Sequence, residues 1–153
     1  MPVIVMRDGP EAIEDAIAAT LRANVNAYLD AVWTAWGDAA SVPKVYPAQI
    51  VSGRRALQPQ FPAYIVRSLD GHTQEDLAPR YGYMAHRFEI VVLCQSSDDH
   101  ILDVQVKRHL TAIRKTLGNA PTLDGTVGGI LGITLESYGK SPSLPNDRKL
   151  MEQ

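Results

Sequence analysis

One cysteine in 153 residues, Cys94, leaves nothing to form a disulfide within the chain and nothing to build a cysteine-based zinc site. It closes the apolar run Ile90-Val91-Val92-Leu93-Cys94, where a cysteine reads as a small buried hydrophobe. Long hydrophobic runs are missing too. Met1 to Met6 is briefly apolar, but Arg7, Asp8, Gly9 and Pro10 end it far short of a signal core or a membrane span. The expectation is a chain made and kept in the cytoplasm, with no membrane partner, unless it leaves as part of a particle. Charge of one sign is also lacking: 15 Lys and Arg face 17 Asp and Glu. A nucleic-acid binder usually shows a basic excess, because neutralising phosphates supplies most of its non-specific affinity. Finally, G-x-S-x-G, H-E-x-x-H and C-x-x-C do not occur, so nucleophile and zinc-hydrolase chemistry have no local support.

Two clusters keep some chemical interest. Asp98, Asp99, His100 and Asp103 combine carboxylates with an imidazole, a set that can hold a divalent cation. The plainer reading is a helix start, with Asp98 or Asp99 capping and the others in solvent. His100 and His109 are nine residues apart, on opposite sides of a helix, and cannot share a metal ion. The second cluster, Gly125, Gly128, Gly129 and Gly132, suggests a phosphate loop. Such a loop needs a strand before the glycines and a helix after them, and here the expected order is reversed. No cofactor and no reaction are therefore expected. A metal-dependent hydrolase on Asp99, His100 and Asp103 stands as a competing class, as does a small-molecule-binding α+β domain.

What is present is 45% hydrophobic residues in patterns suited to one domain over 1–153, long enough to bury roughly 70% of its unfolded surface. Ile13, Ile17, Leu21, Val25, Tyr28, Leu29, Val32 and Trp36 recur by threes and fours, predicting a helix from Pro10 to Trp36 of about 40 Å at about 1.5 Å per residue. Gly37 follows as a stop. Prolines break the pattern from Asp38 to Pro62, leaving one short strand around Val45 to Val51. Tyr64 to Leu69 and Tyr83 to Gln95 read as hairpin strands, joined by a long polar arm, Asp70 to Gly82. A second helix is expected from Asp99 to Leu117, stopped by Gly118-Asn119, then a glycine-rich turn and an alternating strand, Ile133 to Tyr138. The polar tail, Gly139 to Gln153, is expected as a short edge strand or a flexible end. The fold class is thus α+β: an antiparallel sheet with a long N-terminal helix and a second helix packed on it.

Several residues are candidates for contact with other molecules. Arg54 and Arg55 beside Gly53, and His72, Glu75, Asp76 and Arg80 on the arm, are polar groups suited to reach a neighbour. Trp33 is read equally as core or as an interface anchor, and Trp36 as core.

The order of elements resembles the tail terminator and tail-completion family of long-tailed bacteriophages. The stretches that carry the likeness are the helix ending Val32-Trp33, the hairpin ending Arg87-Phe88-Glu89-Ile90-Val91-Val92, the helix ending Ala112-Ile113-Arg114-Lys115-Thr116-Leu117, and Thr122-Leu123-Asp124-Gly125-Thr126-Val127 leading to Glu136-Ser137-Tyr138-Gly139. They cover most of the chain. That resemblance implies a structural virion protein of the neck, a hexameric ring that caps the tail tube, stops its growth and meets the head connector, while DNA passes through the lumen without specific binding. Its partners would be copies of itself, the tail tube protein and the head-completion proteins. The family closes its sheet with one more hydrophobic strand, where this chain has only its polar tail, which leaves open another neck or adaptor protein.

Overall fold

The first helix, α1, spans Pro10–Trp36, as its stripe predicts. Gly37 ends it at φ +73°, its N–H bonded to the Thr34 carbonyl at 3.2 Å. A side chain would strain that left-handed turn. The computed structural model describes residues 10–37, 44–53, 60–73, 86–125, 127, 129–130, 132–133, 139–144 and 148–152.

Polar residues of α1 fix the next segment in place. Asp30, Asn26, Arg22 and Asp15 are spaced by four, four and seven, so they lie along one side of the helix. Asp30 pairs with Lys44 at 3.1 Å. Asn26 donates to the Val45 carbonyl at 2.7 Å and accepts the Val45 N–H at 3.0 Å, as a neighbouring strand would. Arg22 donates two hydrogen bonds to the Ile50 carbonyl, at 2.9 and 2.7 Å, and Asp15 accepts from Ser52 Oγ at 2.5 Å. The contacts descend the helix as the segment ascends, so the segment runs antiparallel to α1.

That segment ends in a short strand, β1, Ile50–Ser52, beside β2, Ala63–Thr73, and β3, His86–Gln95. β1 pairs with β2 in parallel (Ile50↔Tyr64, Ser52↔Val66). An all-antiparallel sheet was expected; the direction that α1 imposes on residues 44–52 makes this pair the exception. β2 and β3 are antiparallel from Ala63↔Leu93 to Ser68↔Phe88, and after an irregularity Thr73↔His86. The strand therefore continues through Asp70–Thr73, which the sequence assigns to the arm. Residues 74–82, the rest of the arm, and 83–85, the start of the expected second strand, lie outside the described residues.

The second helix, α2, Asp99–Gly118, packs on α1 and β3. Its N-cap is Asp98, whose Oδ1 accepts from the N–H groups of His100 (2.8 Å) and Ile101 (3.2 Å). Asn119 caps the far end, its N–H reaching the Leu117 and Lys115 carbonyls. Leu123 and Asp124 then sit at φ +47° and +55°, before Gly125 at +84°. Such left-handed backbone is costly for non-glycine residues; Leu123 holds it by burying its side chain in the core.

The polar tail forms a hairpin, β4, Gly139–Leu144, and β5, Arg148–Glu152. β5 pairs with β3 (Cys94↔Met151, Gln95↔Leu150), giving the order β1-β2-β3-β5-β4. The tail thus supplies two strands, one of them inside the sheet, where one edge strand or a flexible end was expected. Of the strand expected over Ile133 to Tyr138, Ile133 lies outside any strand and packs on the core, and 134–138 lie outside the described residues.

Candidate assembly surfaces

Alternation along β2 and β3 divides their side chains between two faces. Tyr64, Val66, Val92 and Cys94 point to the helices and are fully buried, packed with Leu21, Val25, Leu29, Leu102 and Val106. Their neighbours Ile65, Val91 and Leu93, with Val51 of β1 in register with Ile65, occupy the opposite face. They are only half-buried and do not pack on the core cluster. An antiparallel sheet with one solvated face normally alternates apolar with polar residues. These strands do not: Ile90-Val91-Val92-Leu93 is apolar on both sides. The face also carries one ion pair, Arg67 to Glu89 at 2.5 Å, with side chains 40% and 35% exposed.

A second apolar surface lies on the helix layer. Among the described residues the exposed large hydrophobics are Trp36, Tyr46 and Ile101. The Arg108 guanidinium stands 5.9 Å from the Trp36 ring centre, within cation–π range. Ile101 lies two turns before Arg108 on the same stripe of α2. Trp36, 72% exposed, is therefore not the core residue that its spacing suggests, and Trp33, 7% exposed, is core rather than an interface anchor. Trp33 packs within the core cluster, whereas Trp36, the last helical residue, stands outside it.

His72 lies within β2, and Arg54, Arg55, Glu75, Asp76 and Arg80 lie outside the described residues.

Buried polar groups tell against ionic chemistry inside. Tyr64 Oη and His109 Nδ1 are 2.5 Å apart, the rings meeting edge to face. Burial lowers the His109 pKa to about 3 and raises that of Cys94 to about 12, so the imidazole and thiol are neutral at pH 7. Tyr64 is raised well above its usual value, first by burial and then by nearby Cys94. His109 Nε2 and Trp33 Nε1 are buried without a hydrogen-bond partner among the described residues.

At the start of α2, Asp98 spends its carboxylate on the helix and Asp103 pairs with Lys107 at 2.6 Å. Among the described residues no three His, Cys, Asp or Glu side chains are grouped to hold a metal ion, and no helix is long and apolar enough to cross a membrane. An open depression of about 370 Å³ lies beside the last turn of α2, lined by Arg114, Leu117, Pro121, Ile130 and Ile133 among others. No protein-family model matches the chain, and neither a curated protein nor a solved structure matches it.

Proposed function

We propose that the chain is a structural virion protein, a tail terminator whose ring caps the tail tube of a long-tailed bacteriophage and joins it to the head connector. The observation that carries an assembly role is the outer sheet face. Val51, Ile65, Val91 and Leu93 form a half-buried apolar layer outside the core, and apolar surface left partly open to solvent supports a contact role. The order of elements that resembles the terminator family then selects among assemblies. The protein's work is geometric: contacts between copies close the ring, one rim matches the last tube ring, and the other meets the connector.

The test is deletion of the gene from the phage that encodes it, with electron microscopy of the lysate. Filled heads beside unjoined tails of irregular length are expected; normal infectious particles would end this reading. A second reading, a small-molecule-binding domain, would place its ligand in the open depression beside α2. It requires a ligand-dependent rise in melting temperature.

A further inference from the structure

The two helices run in opposite directions across the sheet. Near its start α1 reaches Ser68, whose N–H is accepted by the Glu14 carboxylate at 2.5 Å, and further on it reaches Ile50 through Arg22. Ser68 is in register with Phe88, and Ile50 with Tyr64, which faces Val92. α1 therefore advances in the direction of β3. α2 starts just after β3 ends, and its His109 meets Tyr64, back at the level of Val92, so α2 returns the other way. The start of α1 and the end of α2 thus share one end of the helix layer.

That end holds the open depression. Of its lining residues Leu117 is buried, Ile130 and Ile133 are half-buried and pack on the core, and Pro121 and Gly132 are exposed. Apolar side chains left partly wet gain by being covered. The chain carries a segment suited to cover them. Val3-Ile4-Val5-Met6 is apolar without interruption, and only Arg7, Asp8 and Gly9 separate it from Pro10, where α1 begins. Residues 1–9 lie outside the described residues. From Pro10 back to Val3 the chain spans about 23 Å at most, while the axes of packed helices stand about 8 to 10 Å apart. The segment is long enough to pass from the start of α1 to the last turn of α2.

We propose that Val3–Met6 docks in the depression beside the last turn of α2 and covers Ile130 and Ile133. The tether to α1 holds the segment near its site at an effective concentration on the order of millimolar. Docking covers two apolar surfaces at once, the segment and the depression, and so keeps both from unwanted contacts. A small molecule would have to displace the segment, which sets this inference against the ligand-binding reading; it is independent of the assembly reading.

The test uses the full chain with Ile4→Cys and Gly132→Cys. Gly132 is exposed and a side chain added there meets nothing within 4 Å, while the native Cys94 is buried and sheltered from reagent. A short bismaleimide should link the two new thiols within one chain, at a yield that does not change with protein concentration, read by mass spectrometry after proteolysis. Ile4→Cys paired with Ile101→Cys, at the other end of α2, should link far less. Adding Met6→Glu to the first pair should cut its yield by about 10-fold or more, because an unpaired carboxylate is excluded from an apolar site. Circular-dichroism melting checks that the fold is kept, and Val5→Glu repeats the test from a second position. A yield that neither glutamate changes means a tether that passes the depression without docking, and overturns the proposal. Equal yields at Gly132 and Ile101 overturn it as well. Links formed only between chains give the depression to a second copy and also overturn it.

Discussion

The two faces of one sheet have opposite fates in this protein. Tyr64 and Ile65 are adjacent in sequence, as are Val91 and Val92. Yet Tyr64 and Val92 are fully buried beneath two helices, while Ile65 and Val91 stay half-exposed. The difference lies in what covers them: α1 and α2 share one side of the sheet. Burial of the inner face stabilises the subunit, and incomplete burial of an equally apolar outer face leaves surface whose removal from water still stabilises whatever covers it.

The comparison can be broken most severely through acid. His109 is on the inner side, with a folded pKa of about 3 against an ordinary 6.5. Between those values the unfolded chain takes up a proton that the folded chain refuses. This contribution to stability is complete above about pH 6.5 and is lost as the pH falls towards 3, on the order of 1.4 kcal/mol per pH unit. Urea titrations at a series of pH values should show that slope. His109→Leu should flatten it, and an unchanged slope would show that the imidazole is not sheltered.

Removing apolar volume separates the two faces directly. Leu102→Ala, in the buried cluster, should cost about 3 kcal/mol. Ile65→Ala, on the outer face, should cost the monomer about 1 kcal/mol, since half-exposed atoms lose less on removal. Equal losses would mean that both faces belong to one core.

Smaller effects sharpen the picture at the helix and at the outer ion pair. Asp98→Ala should destabilise by about 1 kcal/mol, because Asp98 satisfies two N–H groups of α2, and Asp99→Ala by much less. Added divalent metal should leave both melting curves unmoved. Arg67→Ala should cost the monomer only about 0.5 kcal/mol, since its pair with Glu89 is solvent-exposed. A larger loss, seen only under assembling conditions, would locate that pair in a joint.

The sequence by itself determined α1 and α2, because a 3.6-residue stripe with a proline or aspartate start and a glycine or asparagine stop is local information. It determined β2 and β3 for the same reason, through β-branched and aromatic runs between turn residues, and it favoured capping by Asp98 or Asp99 over metal binding, the choice of Asp98 falling to the structure. Tertiary structure alone decided the parallel pairing of β1, which depends on Asn26 and Arg22 holding Val45 and Ile50 from across the helix. It drew the polar tail into the sheet through backbone pairing, since Cys94↔Met151 and Gln95↔Leu150 join distant residues by main-chain bonds that no side-chain pattern announces. It also decided Trp33 as core and reversed the reading of Trp36, which is exposed. Periodicity places both indoles near one stripe, but exposure depends on what packs against each, and that is a property of the packed molecule rather than of any segment.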